Sequence, residues 1–352
     1  MRMKPKKIIN VGYGRATLRD MYTKGDMSSR LFYGLIELEG KYDVRHVSLD
    51  SRSSLVAAVR SSLLVLQPAD CVYMTYLYEQ PLVLLSFLRQ LGFFRRRKVV
   101  VVSHKQLKTG RTCWQRWLYR MVYRNVNMIL FHSQKNLEES VAAGMVDAER
   151  TRFFYWGDDL GYVDRTYSTR LGSFFISTGR ENRDFDLLVR SFAQTDAQLE
   201  LYTNRINYGN NYEKLERWQG RWKNVLIEFV DKSNDTTLRL GQRTAEALCV
   251  VIPLMKNHVN YCVGLTSIIE AMAMGKPIIS SPNPYSPVDI EAEGIGIVAE
   301  TEEQWVEAIR YMMSHREDVE QMGRRARRLA EERYNILSTA RLLDEVLTSL
   351  LP

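Results

Sequence analysis

The sequence predicts an α/β protein of two doubly wound halves that face each other across a cleft. Three observations carry this expectation. At 352 residues, and about 150 residues per domain, the chain is long enough for roughly two domains. Its 45% hydrophobic and 26% charged residues, with only 20 Gly and 9 Pro, supply material for large cores and show no fibrous or disordered bias. Short β-branched runs alternate with longer helical patterns throughout, which is how parallel sheets are assembled from βαβ units.

In chain order, the first half offers strands at residues 7–11, 44–48, 71–75, 98–103, 128–132 and 152–156. Helical periodicity fills the gaps, most clearly at 55–66, 112–124 and 134–143. Residues 157–172 then lose periodicity and collect Gly, Asp, Ser and Thr, so they read as a linker. The second half offers strands at 173–177, 198–202, 225–229, 248–253, 277–280 and 295–298, with helices at 184–193, 212–220, 235–246 and 266–274. Three further helices, 302–314, 316–333 and 336–350, close the chain. The expected domains are residues 1–165 and 166–334, with a final helix at 335–352. In open α/β sheets, ligands sit beyond the carboxyl ends of the strands, so the strand-to-helix loops should carry the chemistry.

The N-terminal residues lack the apolar core of a signal peptide, and the greasiest region, 63–94, is broken by Asp70, Glu79 and Arg89 before it could span a bilayer. Cys71, Cys113, Cys249 and Cys262 are widely spaced with no C-x-x-C pair, which speaks against a disulfide framework or a zinc site. The expected compartment is the cytoplasm. Net charge is +8, but residues 1–170 hold 28 Lys and Arg against 15 Asp and Glu, and residues 80–137 hold 12 basic residues and no acidic one. That half should attract an anionic partner. No nucleic-acid partner is expected, because no recognition-helix, zinc-finger or RNA-binding pattern accompanies the charge.

The richest motif runs from Gly264 through Leu265, Thr266, Ser267 and Glu270 to Gly275-Lys276-Pro277. It reads as a loop, a helix and a Gly-Pro stop. The helix N-terminus exposes unpaired N–H groups and positive partial charge, which suits a diphosphate, and Gly264 would let the anion approach the backbone. Ser267-x-x-Glu270 also matches a capping box, in which Glu270 only satisfies a backbone donor. Spacing alone leaves both readings open. Earlier, Ser177-Thr178-Gly179-Arg180-Glu181-Asn182-Arg183-Asp184 follows a strand and opens a helix. Asp184 can cap that helix, while Arg180 and Arg183 stand where cations would meet a diphosphate.

Together these segments resemble the donor-binding signature of GT-B glycosyltransferases of the group-1 type, which have two Rossmann-like domains. The likeness recurs in order along most of the chain and is weaker in the first 90 residues. It implies that Glu270 binds the ribose of a nucleotide sugar, and that the final helix, 335–352, packs back on the first domain. It implies too that the backbone at Leu265 to Ser267 faces the diphosphate, and that Arg180 and Arg183 grip the same phosphates. A second Glu often stands eight residues before the first in that family; here the position is Cys262.

Gly12-Tyr13-Gly14 follows the first strand, but the third glycine of a dinucleotide fingerprint is missing at Thr17. A tight turn explains the pair by itself; the family likeness adds that Gly12 and Gly14 approach the donor phosphates. His104 follows a buried strand and could orient a hydroxyl or shuttle a proton, the catalytic role the resemblance implies. Gly157-Asp158-Asp159 reads as a turn. The helix at 112–124 pairs an apolar face, containing Trp114 and Trp117, with a stripe of Arg116, Arg120 and Arg124. The aromatics are expected to pack on the sheet, and the arginines to meet a membrane or an anionic acceptor.

The resulting expectation is a retaining, metal-independent transfer of sugar from a nucleoside diphosphate sugar to an acceptor hydroxyl, in polysaccharide or glycolipid assembly. The nucleotide sugar is a co-substrate and no cofactor is expected. The acceptor would be a glycan or lipid-linked, and the protein peripheral at the inner face of the membrane. The alternatives are a non-catalytic nucleotide- or glycan-binding protein and a sugar-nucleotide epimerase.

Overall fold

A computed structural model describes the chain except for residues 1–3, 51–53, 208–209, 232 and 257–260. It divides into two compact units, Met1–Gly157 with Ile336–Pro352, and Asp158–Asn335.

The first unit alternates β1 (Lys7–Tyr13), α1 (Arg15–Lys24), β2 (Asp43–Leu49), α2 (Leu55–Leu64), β3 (Cys71–Met74), α3 (Glu79–Gln90), β4 (Lys98–Ser103), α4 (Cys113–Arg124), β5 (Met128–Phe131), α5 (Gln134–Ala142) and β6 (Thr151–Phe153). All six strands are parallel, in the order β2-β1-β3-β4-β5-β6. Sheets covered on both faces need strands that are apolar at successive positions rather than alternately. Residues 8–12 and 99–103 are accordingly buried without a break. Ile9, Val11, Val72, Met74, Val99, Val101, Ile129 and Phe131 form the centre of one core layer.

The second unit begins with α6 (Leu160–Thr166) and continues through β7 (Phe174–Ser177), α7 (Phe185–Phe192), β8 (Gln198–Thr203), the hairpin strands β9 (Ile206–Asn207) and β10 (Asn210–Asn211), and β11 (Val225–Phe229). It closes with α8 (Asn234–Glu246), β12 (Cys249–Ile252), α9 (Leu265–Ala273), β13 (Ile278–Ser280), β14 (Gly296–Val298), α10 (Glu302–Ser314) and α11 (Arg316–Glu332). Its parallel sheet has the order β11-β8-β7-β12-β13-β14. Counted within the unit, that is the 3-2-1-4-5-6 order of dinucleotide-binding folds, with its topological switch point between β7 and β12. Phe175, Phe185, Phe192, Leu201, Val251 and Trp305 anchor its core.

The last helix, α12 (Ile336–Leu350), belongs to the first unit. Gly34 there has φ of 84°, and a Cβ on it would come within 2.5 Å of the Ala340 backbone. Lys41 and Tyr42 bond the Asp344 carboxylate at 2.6 and 3.0 Å, and Thr339 Oγ1 accepts the Gly157 N–H at 3.1 Å.

Three local readings are corrected. The linker reading of 157–172 misses α6, whose Val163 packs with Ala245, Ala273 and Met274. The expected helix at 212–220 is a 3-10 turn, Glu213–Trp218. The aromatic face of α4 is only partly covered. Met121, Val122 and Tyr123 are buried, whereas Trp114 and Trp117, near its start, remain 66% and 48% exposed.

Candidate active site

The loops leaving β7 and β12 meet at the switch point of the second unit. Asp184 N–H donates to Pro253 O at 2.9 Å and Met255 N–H to Asn182 O at 3.0 Å, so the two loops are joined through their backbones. Asn182 occupies the left-handed region at φ 50°, which a short polar side chain tolerates better than most. Tyr212 OH accepts the Arg183 N–H at 3.0 Å, and Asp184 caps α7 by accepting the Leu187 N–H, also at 3.0 Å.

This framework turns the Arg183 side chain inward, where it is 5% exposed. Its guanidinium donates to Glu181 O at 2.6 Å and to Ser267 Oγ at 3.4 Å, while Nε has no partner among the described residues. Among the described residues no carboxylate bonds it. Burial lowers Arg183 to about 10, with Tyr212 and Glu181 opposing the shift, so it remains cationic at neutral pH. A buried cation that no carboxylate bonds is costly unless an anion joins it. Gly179 is a glycine for the same reason, since a Cβ there would collide with Arg183 Nε.

Helix α9 starts beside that guanidinium. Gly264, at φ 88°, is its N-cap, and no side chain among the described residues caps it. The first bond of the helical ladder runs from Ile268 N–H to Gly264 O at 3.0 Å, which leaves the Thr266 and Ser267 N–H groups without acceptors inside the helix. Leu265 departs from expectation, because its N–H already donates to Cys262 O at 3.2 Å. The capping-box reading of Ser267 and Glu270 is also excluded. Ser267 is the third helical residue, and its hydroxyl meets Arg183 instead. Glu270 lies one turn further along, on the same side of the helix as Ser267, and is half-buried, as is Arg180 on the β7 loop. The structure therefore gathers Arg183, Gly264, Thr266 and Ser267 at one point. Tyr212 was missed from sequence, and Gly179 was read only as part of its motif, because a backbone prop and a close approach leave no spacing signature.

In the first unit the strand order reverses beside β1. Gly14, at φ 64°, is the N-cap of α1. Arg15 folds back over Gly12, where a Cβ would sit 2.8 Å from Nε, and donates to Leu31 O at 2.7 Å. Arg15 is 8% exposed, and its Nε has no partner among the described residues. Burial lowers it while Tyr33, Tyr78 and Tyr73 oppose the shift. It was not singled out from sequence because its guanidinium looks like ordinary helix-start charge.

His104 stands one residue past β4. Its Nε2 lies 2.7 Å from Tyr33 OH, its ring stacks on Tyr76 with centroids 5.1 Å apart, and Nδ1 has no partner among the described residues. Burial, then His132 and Arg15, hold it well below the usual histidine range. It is neutral at pH 7 and can hydrogen-bond a hydroxyl without carrying charge.

Residues 173–329 match the family model described as glycosyl transferases group 1. No curated protein matches the chain in sequence. Over 98% of this chain and 100% of its own, the structure of HepE from Anabaena in complex with UDP-glucose is similar, with a TM-score of 0.64 at 15% identity. A glycosyltransferase from Rickettsia africae covers 99% of both chains with a TM-score of 0.70 at 13% identity. A putative UDP-N-acetylglucosamine 2-epimerase from Listeria monocytogenes matches less well, at a TM-score of 0.58 and 12% identity over 98% of this chain and 97% of its own. Likeness at such identities establishes the fold alone, the two-unit GT-B architecture, and within it residues 173–329 are similar to the group 1 glycosyl transferases.

Proposed function

We propose that the protein transfers a sugar from a nucleoside diphosphate sugar to an acceptor hydroxyl, with the diphosphate held where Arg183 meets the start of α9. The observation that carries this reading is the buried Arg183 guanidinium, bonded by no carboxylate among the described residues, beside the Thr266 and Ser267 N–H groups that have no acceptor inside the helix. As the bond from the sugar C1 to the terminal phosphate oxygen breaks, its electron pair passes to that oxygen. Two cations and a helix N-terminus stabilise this growing charge, and Arg180 supplies the second cation. The acceptor oxygen forms the new bond to C1 and its proton passes to the departing diphosphate. Glu270 fixes the ribose, and neutral His104 orients a sugar or acceptor hydroxyl. Gly12 and Gly14 give a phosphate access to the first unit's backbone.

The transfer is read as retaining and as needing no metal, because Arg180, Arg183 and the helix fill a metal's electrostatic role. The acceptor is read as a glycan or lipid-linked alcohol in polysaccharide or glycolipid assembly, and the protein as cytoplasmic and peripheral at the membrane.

Incubation with UDP- and GDP-sugars, with and without candidate acceptors, tests the reading. Transfer is expected only with an acceptor. Binding without transfer or hydrolysis would leave a nucleotide-binding protein, and conversion of the donor sugar alone would favour an epimerase. Arg183→Ala should weaken the thermal response to UDP or GDP by about ten- to a hundredfold in ligand concentration, as the loss of charge-assisted bonds worth roughly 1.5–3 kcal/mol implies.

A further inference from the structure

We propose that the face formed by α3, the turn after it, and the start of α4 docks the first unit onto an anionic lipid bilayer. The inference rests on the peripheral location in the reading above and not on the transfer chemistry.

Trp114 and Trp117 stack with centroids 4.8 Å apart on the outside of α4, held there by a capping box between Thr112 and Gln115 and by burial of the opposite end of the helix. They line an apolar groove of about 460 Å³ with Val83, Leu84, Phe87 and Leu118. Phe87 is half exposed, and Leu91 and Phe93 more so, where α3 ends. Soluble surfaces seldom gather so many large apolar side chains without a partner.

The basic residues nearby separate into two groups. Arg97 is buried and donates to Val65 O and Ala69 O, Arg89 donates to Asn127 Oδ1, and Lys108 pairs with Glu79 at 3.0 Å. These serve the fold. Arg95, Arg96, Arg111 and Arg116 are exposed, in a stretch without a single carboxylate.

Charge decides the occupant. A second copy related by twofold symmetry would set this arginine-rich face against itself. Anionic headgroups complement it, while indole and phenyl rings settle at the interface and the groove accepts acyl chain. No described helix is long and apolar enough to cross a membrane, so attachment would be by a face.

The full chain is mixed with phosphatidylcholine vesicles with and without phosphatidylglycerol. The expected result is co-flotation with the anionic vesicles alone, lost at high salt, with tryptophan quenching by brominated acyl chains. A Trp114→Ser/Trp117→Ser double variant should bind at least about tenfold more weakly and lose that quenching, and Arg95→Ser/Arg96→Ser should weaken binding similarly. Both variants alter exposed side chains and should keep the wild-type response to UDP. Failure to bind anionic vesicles, equal binding to neutral ones, unchanged binding by the variants, or a dimer that the tryptophan variant dissolves would each overturn the proposal. Absence of a UDP response in the wild-type protein would count against the transfer reaction and leave this surface untouched.

Discussion

Arg183 and Gly179 act as one device. The glycine leaves the space that the guanidinium occupies, and burial strips that guanidinium of water. Gly179→Ala should therefore displace Arg183 and weaken UDP binding by about tenfold in a calorimetric titration. The melting temperature should move little, because the displaced group forms no ion pair. His132 supports a second prediction at this scale. It is 1% exposed, stacks on Tyr33, bonds Phe154 O at 2.8 Å, and is lowered by burial to about 4. Between pH 6.5 and about 4 the unfolded chain binds a proton that the folded chain refuses. The associated stability is thus complete above pH 6.5 and declines as pH falls through that window, by on the order of 3 kcal/mol in total. Urea midpoints measured from pH 7.5 to 4.5 should fall, and His132→Gln should flatten that part of the profile.

Among the elements, α9 joins fold to site. Its buried stripe, Leu265, Ile268, Ile269 and Met272, packs the helix into the second unit, so its N-terminus is fixed before any ligand arrives. Gly264 has only ordinary contacts near its absent Cβ, with Ile252 at 3.4 Å and Leu254 at 3.5 Å, and its requirement is the left-handed φ. Gly264→Ala should cost about 1–2 kcal/mol in unfolding free energy and should reduce UDP affinity more than this stability change predicts, because the helix start would shift. Parity of UDP binding with the wild type would remove α9 from the anion site. The strands were legible from their β-branched runs. Helix α1 and helix α3 were not, since Arg15, Arg19 and Lys24 interrupt one apolar stripe and the other lies in a region greasy on every side.

For the whole molecule, the C-terminal residues complete the first unit rather than the second. Gly34 is the narrow point of that closure. Gly34→Ala combines a left-handed φ with contact at 2.5 Å against the Ala340 backbone, and should destabilise the first unit by about 3 kcal/mol or more. Limited proteolysis should then release residues 336–352 at lower denaturant than in the wild type. Protection equal to the wild type would show that α12 contributes little. Charge is also divided at this scale, with the basic excess confined to the first half of the sequence.

The sequence by itself determined the α/β class, the twelve strands of the two sheets and the segments around Arg183 and Gly264, because apolar periodicity and glycine placement are local properties. It could not decide whether Ser267 and Glu270 cap a helix, whether the Trp114 face is covered, or that Arg15 and Arg183 are both buried. Those outcomes depend on which loops and helices meet in space, and the energy of burying or exposing a side chain is set by neighbours far away along the chain.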